Sequence, residues 1–182
     1  MDVQDVKSGQ TTLAVIGFGS NLGQGQELIR SAWKCLATKE KLVPLTLSSL
    51  YATEAVGMTS PSLFTNGVGL VETTLGPYEL LHCLLQVEAE HGRLRDPESV
   101  GYQDRFLDLD LLYFGDTVLN TAELIVPHPH IGSRLFVLAP LAEIAPRLQD
   151  PRTGQTVAAM YQQILLQIQQ GKVGAQAISR MQ

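Results

Sequence analysis

Along the chain the hydrophobic positions change period several times, and each change marks an element. Residues 12–18, TLAVIGF, form an unbroken apolar run that reads as a buried strand, closed by the turn GSNLGQG. From about 25 to 38, Leu28, Ala32, Cys35 and Leu36 recur at helical spacing, with Trp33 at the edge of the stripe. Asn21 or Ser20 is placed to cap that helix. Residues 43–53 read as one strand, 54–64 as a loop rich in turn formers, and TNGVGLVETT as a strand weakened by two glycines. Pro77 opens a helix that Gly92 closes, and it buries Leu80, Leu81, Leu84 and Val87. After the loop GRLRDPESVGYQD, the stretch DRFLDLDLLYFG is a strand, and GDT suggests a hairpin into VLNTAELIVP. SRLFVLAPLAEIAP reads as a helix interrupted by Pro140, TVAAMYQQILLQIQQ as a last helix, and 171–182 as a frayed tail. The order β-α-β-β-α-β-β-α-α predicts an α+β fold with a mainly antiparallel sheet flanked by helices.

Composition narrows the picture. The length of 182 residues predicts a single domain over 1–182, with 1–11 and 171–182 as flexible ends. A net charge of −5 argues against a nucleic-acid surface, while leaving room for a local basic cluster that binds a small anion. The polar, acidic start MDVQDVKSGQ does not read as a signal peptide, and no apolar run approaches a membrane span. Cys35 and Cys83 lie in helical patterns without a second ligand at metal spacing, and read as reduced thiols of a cytoplasmic protein.

GFGSNLG, between a strand and a helix, invites a dinucleotide reading. The third glycine of that fingerprint is due at position 22, which is Leu22. No acidic residue ends the next strand, and no Gly-Lys-Ser/Thr follows, so neither dinucleotide nor P-loop chemistry fits. A tight strand-to-helix turn accounts for the loop.

The stretch at 104–115 carries the chemistry. Strand side chains alternate faces, so Asp108 and Asp110 share one face, roughly 6.5–7 Å apart at Cα, and Leu107, Leu109 and Leu111 share the other. Two converging carboxylates repel unless a cation lies between them. Hard oxygen ligands suit Mg²⁺, which takes one or two carboxylates and completes its shell with water and phosphate oxygens. A solvent-facing acidic strand would show the same letters. Arg93, Arg95 and Arg105 flank the strand, and His128, His130 and Arg134 follow it, which favours a metal–triphosphate site.

From about residue 12 to 165 the chain resembles the 6-hydroxymethyl-7,8-dihydropterin pyrophosphokinases, through GSNLG at 19–23, GRLR at 92–95, RFLDLDLLYFG at 105–115 and VPHPHIGSRLFVLAPLAEIAP at 126–146. The resemblance implies a ferredoxin-like α+β sandwich. It implies transfer of pyrophosphate from ATP to the pterin hydroxymethyl group, with release of AMP, in folate biosynthesis. It places two Mg²⁺ ions at Asp108 and Asp110, with Arg93 and Arg105 as catalytic arginines near the transferred phosphates. Glu88, Arg95, Tyr102, Leu111, His128 and Arg134 complete the ATP site. Phe64 and Phe136 sandwich the pterin, Asn66 reads its polar edge, and Thr53 and Val56 act partly through backbone groups. A functional link to the next folate-pathway enzyme is implied as well.

The chain departs from the family's pattern in places. The loop before the aspartate strand is acidic, with Asp96, Glu98 and Asp104, and Glu54 and Glu123 replace a common proline and an occasional arginine. Two rival readings use the same residues: a metal-dependent phosphohydrolase, and a non-catalytic pterin- or nucleotide-binding relative.

Overall fold

β1 (Thr12–Ser20) is the first apolar run, and a computed structural model, which describes residues 11–54, 63–92 and 106–181, sets it inside a six-stranded sheet. α1 (Gly25–Leu36) follows, then β2 (Leu42–Leu47), β3 (Tyr51–Thr53), β4 (Phe64–Thr73) and α2 (Pro77–Glu90). β5 (Asp108–Phe114) leads to the short strands β6 (Leu119–Asn120) and β7 (Ile125–Val126). α3 (Leu135–Ile144), α4 (Val157–Gln169) and β8 (Ile178–Arg180) complete the chain.

The sheet runs β5-β1-β4-β3-β8, with β2 also paired to β4, and every pairing is antiparallel. If β2 and β3 count as halves of one interrupted strand, the order is the fourth, first, third and second strand of a ferredoxin-like fold. α1 and α2 cover one face, where Ile29, Leu36, Leu80 and Leu84 meet Ile16, Phe18, Leu109 and Leu111. α3 and α4 cover part of the other, where Leu138, Leu141, Val157 and Ile164 meet Val15, Val68, Leu112 and Tyr113.

Several expectations need correction. Residues 43–53 form two strands rather than one, both held by β4. The strand with two glycines is central, paired on both sides. Its glycines make room for neighbours: a Cβ on Gly69 would lie 2.4 Å from the Trp33 ring, and one on Gly67 2.7 Å from Leu50. α1 starts after Gln24, not from Asn21 or Ser20, and no side chain caps it. α3 continues through Pro140. The hairpin after Gly115 pairs β6 with β7 and forms its own small sheet. In the tail expected to fray, β8 pairs with β3, and Met181 N–H donates to Leu50 O at 2.8 Å. The flexible start expected at 1–11 lies, up to residue 10, outside the described residues.

β5 carries one irregularity that shapes the site. Opposite the step from Val15 to Ile16 its register skips Leu112. Such a bulge shifts the alternation by one residue. Leu109, Leu111 and Phe114 therefore pack under α1 and α2, while Leu112 and Tyr113 both turn to the α3–α4 side.

Candidate active site

On the α3–α4 side, beyond the end of α3, the sheet face is left open, and the side chains there are short. β1 supplies Gly17 and Gly19. Gly19 pairs with Asn66 of β4 on one side and with Asp108 of β5 on the other; Gly17 pairs with Asp110. The result is a row across three strands, Asn66–Gly19–Asp108. Two strand spacings put its ends roughly 10 Å apart. A Cβ on Gly19 would sit 3.5 Å from Asn66 Oδ1 and 3.7 Å from Asp108 Cβ, so the glycine is a floor between the two. The glycines that fail the dinucleotide fingerprint have this use. A signal existed in the sequence: Gly17 and Gly19 stand two apart, as Asp108 and Asp110 do, but only strand register joins the pairs.

The cavity above this floor has a volume of about 140 Å³. It brings together seven of the expected residues: Thr53, Phe64, Asn66, Asp108, Asp110, Arg134 and Phe136. It adds Glu54, Leu112 and Val137, which were not expected there. Asn66 is buried, and its Nδ2 donates to Thr53 Oγ1 at 2.8 Å. That bond uses one of two amide hydrogens and fixes the plane of the amide. Phe64, at the start of β4, and Phe136, in the first turn of α3, approach the cavity from different layers. Asp108 and Asp110 are half-buried on the cavity face, as the alternation of the strand requires.

Arg134 caps the N-terminal end of α3 and lines the cavity, which brings a guanidinium to the side facing the aspartates. His128 stands just outside the lining. Its backbone N–H donates to Leu112 O at 2.9 Å, and its Nδ1 accepts from His130 N at 3.3 Å. Burial, then the charges of Arg134 and His130, push its pKa down to about 4 against a smaller opposing pull from Asp108. At neutral pH it is therefore a neutral ring whose other nitrogen, Nε2, carries the hydrogen.

Two expected nucleotide residues lie elsewhere. Leu111 packs its side chain in the α1–α2 core, so what it offers a ligand is backbone. Glu88 is 1% exposed on α2, and its Oε1 accepts from Leu109 N at 2.7 Å. Val56, Arg93, Arg95, Tyr102 and Arg105 lie outside the described residues, as do Asp96, Glu98 and Asp104. Glu123 accepts from or pairs with His82 at 3.1 Å on the surface.

The donor set fits a hard cation. Among the described residues no group of three or more histidine, cysteine or carboxylate side chains could hold a metal. Two carboxylates with open space beside them suit an ion that completes its shell from water and phosphate oxygens.

The model of a protein family described as 7,8-dihydro-6-hydroxymethylpterin-pyrophosphokinase matches residues 15–146. A 2-amino-4-hydroxy-6-hydroxymethyldihydropteridine pyrophosphokinase of Synechocystis is 39% identical over 151 residues, 83% of this chain and 75% of that protein. One of Bacillus subtilis is 39% identical over 141 residues, 78% and 83%. The folic acid synthesis protein fol1 of Pneumocystis carinii is 35% identical over 150 residues, 82% of this chain but 20% of that longer protein. In three dimensions the chain is similar to Plasmodium falciparum HPPK-DHPS, with a TM-score of 0.71, 15% identity, and 92% of this chain covered. It spans 46% of that structure's chain. That likeness bears on the fold, and it is the mixed, antiparallel sheet with flanking helices seen here.

Proposed function

The chain belongs to the 7,8-dihydro-6-hydroxymethylpterin-pyrophosphokinase family, and from that premise we propose how its own residues divide the reaction. The enzyme transfers pyrophosphate from ATP to the hydroxymethyl group of 6-hydroxymethyl-7,8-dihydropterin in folate biosynthesis, and AMP leaves. The observation that carries the assignment of residues is the row Asn66–Gly19–Asp108, which sets an amide reader and an acidic face side by side on an open floor.

The pterin lies over the Asn66 end. Phe64 and Phe136 stack on its two faces, where offset stacking contributes about 0.5–1.5 kcal/mol per pair. Asn66, held by Thr53, hydrogen-bonds the polar edge of the heterocycle, and Val56 borders it through its backbone. The triphosphate lies over the Asp108 end. Arg134 and His128 contact its oxygens, the arginine as a charged fork and the neutral histidine as an Nε2–H donor. Arg93, Arg95, Tyr102 and Arg105 complete that side, with the backbone of Leu111.

Asp108 and Asp110 would hold Mg²⁺, two ions, whose contribution is to neutralise the triphosphate and so ease attack at phosphorus. The chain's own residues do the positioning. The two aromatic rings and Asn66 fix the pterin so that its hydroxymethyl oxygen faces the β-phosphorus of ATP. A bond forms between that oxygen and the β-phosphorus, and the bond from the β-phosphorus to the AMP oxygen breaks. The hydroxyl proton would pass to Asp110 or to water, and Arg93, Arg105 and Arg134 hold the phosphate oxygens against the charge that moves onto AMP.

No helix among the described residues is long and apolar enough to cross a membrane. With its free thiols, this supports a cytoplasmic setting. HPPK-DHPS chains and fol1 supply the motive for a functional link to the next folate-pathway enzyme.

The test is AMP release from ATP and Mg²⁺ with and without hydroxymethyldihydropterin. Release that depends on the pterin supports transfer. Equal release without pterin would mean hydrolysis, and none in either case a binding protein.

A further inference from the structure

We propose that Glu88 is a positioning residue that fixes Asp108 and Asp110 through the backbone between them. The proposal rests on the assignment of the two aspartates to a divalent cation.

Among the described residues β5 is an edge strand, paired only with β1 in the large sheet. Every second N–H of an edge strand faces away from its partner and needs an acceptor from elsewhere. At Leu109 that acceptor is a carboxylate: Glu88 Oε1, at 2.7 Å. Leu109 is the residue between Asp108 and Asp110, so the bond holds the one peptide segment that sets their relative aim. Both ends of the bond are inaccessible, with Glu88 1% and Leu109 3% exposed, so water does not compete for it. An amide N–H and an acceptor buried this deeply are costly to leave unsatisfied, so the bond is one that the fold keeps. Glu88 also comes from the helix layer behind the sheet, among Leu84 and Val87 of the core, whereas the aspartates face the cavity in front. The bond thus runs from the core, through the strand edge, to the acidic face. Ligand-orienting residues of this kind typically change metal affinity by about 10–100-fold when removed.

Full-length Glu88→Gln and Glu88→Ala would be compared with the wild type by Mn²⁺ titration in the presence of a non-hydrolysable ATP analogue, followed by electron paramagnetic resonance. Hydrogen exchange at the Leu109 amide and thermal melting would be read in parallel. Gln keeps a carbonyl acceptor, so Glu88→Gln should retain Leu109 protection and hold Mn²⁺ affinity within about threefold. Glu88→Ala should lose Leu109 protection and weaken Mn²⁺ binding by about 10–100-fold, while its melting stays cooperative. If the alanine protein does not fold, Glu88→Met fills the same space without an acceptor and is read in the same way. Lost protection with unchanged Mn²⁺ affinity would overturn the proposal, leaving Glu88 a packing residue. So would a Gln variant that keeps protection yet binds Mn²⁺ as weakly as the alanine variant. Asp108→Asn serves as the control for the premise: if it binds Mn²⁺ like the wild type, the metal assignment itself fails.

Discussion

The guanidinium carbon of Arg134 lies 5.7 Å from the centre of the Phe136 ring. A cation over an aromatic face at this distance contributes about 0.5–1 kcal/mol at an exposed site. The side chain proposed for phosphate thus rests on the ring proposed for pterin. Phe136→Ala should weaken pterin binding by roughly tenfold, the equivalent of one lost stacking partner, and ATP binding by less than about threefold. Calorimetric titration of each ligand decides it. Equal losses for both, with a lower melting temperature, would make Phe136 a packing residue of the α3–α4 core.

Asp110→Ala should reduce pterin-dependent AMP release by at least about a hundredfold without lowering the melting temperature. The carboxylate is half-buried on the cavity face rather than packed in the core, so its loss should leave the core intact. Near-normal turnover at saturating Mg²⁺ would sink the assignment.

Two glycine substitutions should separate floor from core. A Cβ on Gly19 meets only ordinary contacts, at 3.5 and 3.7 Å, so Gly19→Ala should fold with stability changed by less than about 1 kcal/mol. It should nonetheless weaken both ligands, because the methyl stands between the amide and the acidic face. A Cβ on Gly69 would come within 2.4 Å of Trp33, so Gly69→Ala should destabilise by about 1–3 kcal/mol and spare ligand binding in whatever remains folded. Denaturant melts and ligand titrations on both proteins would expose the opposite pattern.

The metal-free protein should lose stability as pH falls through the range set by His128. Its folded pKa is held down near 4, against 6.5 for the free side chain. Below pH 6.5 the unfolded chain gains a proton that the folded chain refuses until about pH 4, so the contribution is present above 6.5 and declines between the two values. Carboxylates titrate in the same window, so the comparison is with His128→Asn, which keeps an acceptor for His130 N. Melting temperature plotted against pH should fall less steeply for the variant. Identical slopes would mean that His128 is free to protonate in the folded state.

Elements whose signals are local were readable before any coordinates. The helix at Pro77 announces itself by its proline and by Gly92, which takes a positive φ just past its end. The last helix was legible as an apolar stretch, but its cap, Thr156, whose hydroxyl accepts from Ala159 N, was not. The facing aspartates followed from alternation alone. What depended on pairing was hidden. Ile178–Arg180 is a strand because β3 offers an edge, and nothing in three mixed residues says so. Residues 43–53 keep one strand-like pattern through a break that β4 imposes. Gly17 and Gly19 gain meaning only from the strands on either side, and Glu88 only from the amide it meets.

β8 lies against β3, and β3 ends in Thr53, whose hydroxyl holds the Asn66 amide. Glu143 ties the same corner from α3, accepting from Ser49, Tyr51 and Arg180. β8 is thus joined to the Asn66 amide through one intervening strand, so a change confined to 178–180 would reach that amide by way of Thr53 rather than through the core.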